Sequence, residues 1–194
     1  MALPRAGRTL RVIGFDDVPW RHRRKATVGV VGAVCAGTRF EGMVYGTVRR
    51  DGWRATSALE ALLLEGKFLP QIHLVLLDGI ALGGFNVVDL PRLAHALQRP
   101  CVAVMRKLPD LPAMERAARR LSRPQARLAL LRRAGPIHVH GPFVYQVHGA
   151  DPREMAEALQ RLTDTGNVPE ALRLAHLIGG ALAYGQSGRR ARSK

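Results

Sequence analysis

The sequence predicts a single α/β domain in which a mixed sheet has helices on both faces. Its 194 residues and 47% hydrophobic content fit one domain with a sizeable core better than two domains. Strand-like segments come first without intervening helices, and helices then alternate with strands along the rest of the chain. These observations together exclude an all-helical or an all-strand architecture.

The first part of the domain is predicted to be an antiparallel meander of three strands. The first strand covers about Leu10 to Phe15, the second Thr27 to Ala36 and the third Gly42 to Val48. Valine and glycine dominate the second segment, and Gly37 marks the turn that leads into the third. The second and third strands should therefore pair as a hairpin.

The second part of the domain alternates helices with buried strands. Its first helix is predicted to open at a capping box, Ser57-Ala58-Leu59-Glu60, and to end at Gly66. An antiparallel meander followed by such alternation is the strand pattern of the ribonuclease H-like fold. The remaining predicted elements are a strand from Ile72 to Leu77, a helix from about Asp89 to Leu97, a strand from Cys101 to Met105, two helices after Asp110 divided by Pro124, strands from Ile137 to His140 and Val144 to His148, and helices from Asp151 to Leu162 and from about Pro169 to Gly185.

Two of the buried strands end on an aspartate, Asp16 and Asp78. Open α/β sheets keep their ligands at the carboxyl edge, so these side chains should converge if the strands are neighbours. Two close carboxylates repel each other unless they share a proton or a divalent cation such as Mg²⁺ or Mn²⁺. Asp17 should point to the opposite face because side chains alternate along a strand. We therefore predict Asp16, and not Asp17, as a metal ligand beside Asp78.

The chain carries a large positive charge, with 30 Lys and Arg against 15 Asp and Glu and a formal net charge of +15. Such an excess favours a polyanionic partner, and nucleic acid is the first candidate; the simpler alternative is that the charge only confers solubility. Basic residues cluster in an arm over residues 1–9 and a tail over residues 187–194. We predict a ribonuclease H-like domain over residues 10–186 between them.

Two features of the sequence concern the compartment. Cys35 and Cys101 lie in apolar strand-like segments, so they are predicted to be small buried side chains and not zinc ligands or a disulfide framework. No run of about 20 apolar residues and no signal peptide is found in the sequence. The expected location is the cytoplasm.

Three ordered segments resemble the archaeal endonuclease dU family, which is related to endonuclease V. They are Gly14 to Trp20, Leu77 to Ile80 together with Gly84 to Asp89, and Pro169 to Ile178. The resemblance implies a ribonuclease H-like fold and Mg²⁺- or Mn²⁺-dependent cleavage of DNA beside a deaminated base, uracil in particular, in DNA repair. A noncatalytic nucleic-acid-binding protein with a degraded site, or an RNA-directed endonuclease, is the alternative.

The resemblance also implies the residues of the site. Asp16 and Asp78 match the two strand-ending aspartates of the family, and His176 matches the residue of the final helix that reaches the metal. Arg54 stands where related sequences tend to carry an acid, so Glu60 is predicted as a substitute third catalytic acid. Hydrolysis of a phosphodiester needs hard carboxylate ligands for metal ions that neutralise phosphoryl oxygens and activate water.

Nucleic-acid contacts are predicted around these acids. The basic loop after Asp17 should contact phosphates, and Trp20 and Trp53 are candidates for stacking on a base, although either can equally belong to the core. Arg173 on the final helix can instead pair with Glu170. The residues predicted to bind nucleic acid are Arg21, Arg23, Arg24, Lys25, Asn86 and Arg173.

Overall fold

A computed structural model describes residues 3, 7–20 and 27–188. The strands in chain order are β1 (Arg11–Asp17), β2 (Thr27–Ala36), β3 (Arg39–Arg49), β4 (Leu74–Asp78), β5 (Ala81–Leu82), β6 (Asn86–Val87), β7 (Cys101–Met105), β8 (His138–His140) and β9 (Phe143–His148). The α-helices are α1 (Ala55–Leu64), α2 (Leu90–Leu97), α3 (Leu111–Arg119), α4 (Pro124–Arg133), α5 (Pro152–Arg161) and α6 (Glu170–Tyr184). Within these ranges no helix is long and apolar enough to cross a membrane.

Seven strands form one mixed sheet in the order β3-β2-β1-β4-β7-β9-β8, and β5 and β6 form a separate hairpin. The predicted meander is confirmed, since β1 is antiparallel to β2 and β2 to β3. β4 pairs parallel to both β1 and β7, so the carboxyl ends of these three central strands open at the same edge. That edge carries the candidate site.

The predicted elements are found near their expected positions. β1 extends two residues beyond the predicted end at Phe15, because Asp16 and Asp17 continue the ladder with β2. Asp89, Asp110 and Asp151 accept hydrogen bonds from the first-turn amides of α2, α3 and α5, as their positions predict.

The predicted capping box at Ser57 and Glu60 is wrong. α1 begins at Ala55, and both residues lie inside the helix. Its N-terminus is satisfied instead by a distant side chain, because the Ala55 amide donates to Oδ1 of Asn86 at 3.2 Å. Ser57 and Glu60 both accept hydrogen bonds from Arg92 on α2. A contact between helices has therefore replaced the local cap.

The sheet separates two apolar layers. On one face, Ile13 and Phe15 of β1 belong to a core that α1 and α2 cover, with α3 and α4 packed at its margin. On the other face, Val12 of β1 packs with buried residues of α5 and α6. Because side chains alternate along β1, Asp16 lies on the α6 face and Asp17 on the α1 face.

Helix α6 approaches β1 closely at Gly14. A Cβ at this position would lie 2.7 Å from the backbone carbonyl carbon of Ala171 and 2.7 Å from the amide nitrogen of Leu172. Only glycine allows the helix backbone to lie this near the strand. The contact fixes the position of α6 along β1, so that the next turn of the helix lies at the carboxyl edge of the sheet.

Replacing Gly14 with alanine is expected to lower the free energy of unfolding by about 3 kcal/mol, because helix backbone must move to admit the methyl group. Urea denaturation measures the change. Gly180→Ala is the matched control on α6, where the nearest atom to an added Cβ is 4.0 Å away. It should raise stability by about 0.5 to 1 kcal/mol through helix propensity. An unchanged midpoint for Gly14→Ala would contradict the close approach.

Candidate functional site

Asp16 and Asp78 lie side by side at the carboxyl edge. Phe15 is paired with Leu77 in the parallel ladder of β1 and β4, so the aspartates occupy the next position on neighbouring strands. The alternation that directs Val12 and Leu74 toward α5 and α6 directs both carboxylates to the same face. Asp16 is 6% exposed, and the Asp78 side chain is 11% exposed. The structure thus brings together the two acids that the sequence paired.

Burial and mutual repulsion alter the acidity of Asp78. Removal from water, reinforced by the negative charge of Asp16, raises the pKa of Asp78 from 3.8 to about 6, although the Arg106 guanidinium opposes the change. The two acids therefore favour positive charge or a shared proton between them.

His176 on α6 reaches the same cluster. Its Nδ1 lies 2.9 Å from Oδ2 of Asp16, while Oδ1 of Asp16 accepts the backbone amide hydrogen of Asp17. The hydrogen bond to Asp16 raises the pKa of His176 above 6.5, and the carboxylate charges add to this effect. The structure therefore brings His176, like the two aspartates, to the predicted site.

Arg106 is part of this cluster, although it was not among the predicted site residues. It follows β7 directly, and its Nη2 lies 3.3 Å from Oδ2 of Asp78. Its position could have been predicted, because Arg106 directly follows a predicted buried strand, and the carboxyl end of that strand lies beside the end of β4. The guanidinium of Arg106 therefore neutralises part of the negative charge of the two aspartates.

The Asp17 side chain lies on the face of the sheet opposite to Asp16, as strand alternation predicts. Its Oδ2 accepts the Gly83 amide at 2.7 Å, and burial raises the pKa of Asp17 from 3.8 to about 7. Asp51 holds the same turn, because its amide donates to the Gly83 carbonyl and its Oδ1 accepts the Phe85 amide. Gly83 and Gly84 both have positive φ, which glycine adopts without strain. Two carboxylates thus fix the glycine-rich turn beside the site.

Arg127 of α4 fastens these loops together. It is 1% exposed, and its guanidinium donates to the backbone carbonyls of Asp51, Gly52, Phe85 and Ser122. Its guanidinium carbon also lies 4.2 Å from the centre of the Trp53 ring. A buried cation is tolerated here because backbone oxygens replace its water.

The structure does not bring Glu60 to the two aspartates. α1 packs on the face of the sheet opposite to Asp16, and the Glu60 carboxylate binds the guanidinium of Arg92 at 2.5 and 2.9 Å. Arg54, at the N-cap of α1, is exposed. Glu60, the predicted third acid, is thus engaged in a contact between α1 and α2.

The prediction that Asn86 contacts nucleic acid is wrong, because its side chain is buried. It is 0% exposed, its Oδ1 accepts the Ala55 amide, and its Nδ2 donates to the Arg49 carbonyl at 3.3 Å. Its place in a glycine-rich loop suggested an accessible amide. Its side chain instead satisfies buried backbone groups, so it does not face a ligand.

The other predicted contact residues have mixed placements. Trp20 is half-buried and packs on the α1 side of the core, and one face of Trp53 is covered by Arg127. Arg173 forms the ion pair with Glu170 that the helical spacing allows, with two short contacts of 2.5 and 2.7 Å, and remains partly exposed. The loop carrying Arg21, Arg23, Arg24 and Lys25 lies outside the described residues.

The donor set fits a hard divalent cation only in part. No group of three His, Cys, Asp or Glu side chains among residues 7–20 and 27–188 is arranged to hold a metal. Mg²⁺ is nevertheless commonly bound by one or two carboxylates, with water and substrate phosphate completing its shell. Asp16 and Asp78 supply two buried carboxylates on one face, which satisfies that smaller requirement.

Comparison with known structures identifies the fold. Endonuclease V of Ciona intestinalis, solved in complex with a 24mer DNA containing an inosine followed by a ribo-adenosine, superposes with a TM-score of 0.55 at 16% identity, covering 88% of this chain and 84% of that one. The fold is therefore that of the endonuclease V structures, and the predicted endonuclease V-like α/β domain with a mixed sheet is confirmed.

The family follows from closer matches. The sequence profile of the endonuclease dU family matches residues 8–183, and the chain belongs to that family. A UPF0215 protein of Methanothermobacter thermautotrophicus is 36% identical over 183 residues, covering 92% of this chain and 90% of that protein. A crystal structure of a protein of unknown function from Archaeoglobus fulgidus has a TM-score of 0.85 at 35% identity, covering 91% of this chain and 99% of that one.

Proposed function

We propose that this protein is a Mg²⁺- or Mn²⁺-dependent endonuclease that cuts DNA at deaminated bases, uracil in particular, and acts in DNA repair in the cytoplasm. The observation that carries the proposal is the pair of buried carboxylates, Asp16 and Asp78, at the carboxyl edge of an endonuclease V-like sheet. Family membership supports the endonuclease activity, and the net charge of +15 supports a nucleic-acid substrate. Both described cysteines are free, in keeping with that compartment.

The residues of the site have distinct parts in this proposal. Asp16 and Asp78 would hold the cation, which when bound neutralises phosphoryl oxygens and activates water. His176 holds a proton at Nδ1 against Asp16 and so keeps that carboxylate in one orientation. Arg106 neutralises Asp78 and has further N–H donors that suit a phosphate oxygen.

A noncatalytic role is the second candidate. Its specific support is that Glu60 is engaged by Arg92 and that the described residues supply no cluster of three ligands. Such a protein would use the same edge to bind nucleic acid without cutting it. Cleavage assays separate the two functions directly.

The proposed activity is tested with end-labelled DNA containing one uracil, incubated with Mn²⁺ or with EDTA. We expect a single nick beside the uracil with the metal, and uncut DNA with EDTA, because two carboxylates alone neither neutralise phosphate charge nor activate water. Matched oligonucleotides carry thymine or hypoxanthine at the same place, and an RNA version tests the polymer.

Three outcomes would change the proposal. Binding without a cut on any substrate would favour the noncatalytic role. A cut in RNA alone would make the enzyme an RNA-directed endonuclease, and equal cutting at thymine would remove the preference for deaminated bases.

A further inference from the structure

We propose that α3 and the turn after it form a second nucleic-acid contact surface, separate from the carboxylate site. The surface consists of Arg116, Arg119, Arg120 and Arg123, and is called the basic face below. It would bind backbone phosphates of the strand that enters or leaves the site. The inference rests on the proposed function, because it assumes that the substrate is a nucleic acid longer than the cleaved step.

The basic face is the outer side of the amphipathic helix α3 and of the turn that follows it. Met114, Ala118 and Leu121 recur at spacings of four and three residues and are partly or fully buried against the domain. Arg116 and Arg119 lie on the opposite side of the helix, Arg120 is its C-cap, and Arg123 follows in the turn before α4; all four are exposed. Their side chains therefore extend into solvent from a segment that the core holds in place.

The charge of this segment is not balanced within the fold. Between Leu111 and Arg133 the chain has seven arginines and one acid, Glu115. None of the arginines of the basic face forms an ion pair with a described residue, whereas Arg133 pairs with Asp89. Arg116 also lies three and four residues from Arg119 and Arg120, a spacing at which like charges repel. The fold thus leaves concentrated positive charge available to a polyanion.

The basic face is tied to the candidate site through α4. Arg127 joins α4 to the loops at Asp51 and Phe85, and Asp51 holds the glycine-rich turn that Asp17 also holds. Arg123 lies with its guanidinium carbon 5.8 Å from the centre of the Trp53 ring, next to the same loop. The arginines and the carboxylates therefore belong to one packed unit, and phosphates bound at one would be held at a set position relative to the other.

The dimensions suit a nucleic-acid backbone. Arg116 and Arg120 are four residues apart, about 6 Å along the helix axis, which matches roughly two base steps. Exposed guanidinium groups without acidic partners contact phosphates well, because each offers several donors. Base edges are not required, so the contact would be independent of sequence.

Salt dependence of binding tests the proposal. Every chain carries Asp78→Asn to prevent cleavage, and affinity for a fluorescent uracil-containing duplex is measured over a range of salt concentrations. The triple variant Arg116→Gln, Arg119→Gln, Arg120→Gln should reduce the slope of log affinity against log salt by about 2 to 3, since each lost phosphate contact removes about 0.9. Arg123 is kept because it borders Trp53.

Two controls accompany the glutamine triple. Lys67→Gln, Arg153→Gln, Arg161→Gln removes three exposed charges from other parts of the domain and should leave the slope unchanged. Arg116→Lys, Arg119→Lys, Arg120→Lys retains the charge and should also retain the slope. Arg116 and Arg119 lie in the last turn of α3, where positive charges stabilise the helix through its dipole. If the glutamine triple therefore unfolds at a lower temperature, the three single substitutions replace it. Each should lower the slope by just under 1.

The outcomes distinguish this inference from the proposed function. An unchanged slope in the glutamine triple, or an equal fall in the control triple, overturns the basic face and leaves the nuclease proposal standing. A parent chain that binds no nucleic acid at all overturns the proposed function itself.

Discussion

Replacing Asp78 with asparagine is expected, under the proposed function, to reduce metal-dependent cleavage about 1,000-fold or more, since the loss of a carboxylate that would hold the metal removes several kcal/mol of transition-state stabilisation. Asparagine is close in size and keeps one oxygen, so the change removes charge more than shape. Single-turnover cleavage of uracil-containing DNA at saturating Mn²⁺ measures the loss.

The fold should not suffer from the same change. Burial makes the charged form of Asp78 costly, so Asp78→Asn should melt at the same or a higher temperature when EDTA is present. Asp164→Asn, at an exposed carboxylate, is the matched control and should cut at the wild-type rate. Cleavage by Asp78→Asn at more than about a tenth of the wild-type rate would show that the site lies elsewhere.

Replacing Asp17 with asparagine is expected to flatten the dependence of stability on pH. Burial raises the pKa of Asp17 from 3.8 to about 7, so the folded chain keeps a proton that the unfolded chain releases from about pH 4 upward. The stability of the wild type should therefore fall as the pH rises from about 4 to about 7, by up to about 4 kcal/mol from this one group. Above that range the contribution is constant.

Asparagine should remove this loss and keep the turn in place. The side-chain oxygen of asparagine can still accept the Gly83 amide. Because asparagine does not titrate, the difference in unfolding free energy between variant and wild type should grow with pH and level off near pH 7. Urea denaturation in EDTA at several pH values measures that difference, with Asp164→Asn following the wild type. A difference that is constant with pH would mean that Asp17 is ionised throughout.

The sequence predicted the parts of the site that depend on strand position. Asp16 and Asp78 were found because a strand buried on both faces ends in a polar residue at the ligand edge. The alternation of side chains correctly separated Asp17 from Asp16. These conclusions follow from periodicity, which a single sequence displays.

The misplaced residues depend on partners that are distant in the chain. Ser57 and Glu60 match a capping box, but Asn86, 31 residues beyond Ala55, satisfies the start of the helix, and Arg92 then takes the carboxylate. A local pattern cannot reveal such competition, because its result depends on how α1 packs against α2. The burial of Arg127 could not be predicted for the same reason, because the four carbonyl groups that bind it come from loops distant in the sequence or from the turn before α4.

The contact between His176 and Asp16 joins residues 160 positions apart, and Gly14 is the point at which the last helix meets the first strand. Contacts of such high sequence separation carry a large loop-closure cost and are favoured only after the intervening chain has been ordered. On a ribosome, β1 is made first and α6 last, so the acidic edge stays without its histidine until synthesis of the domain is nearly complete. A nascent chain that lacks α6 therefore has the aspartates but not the finished site.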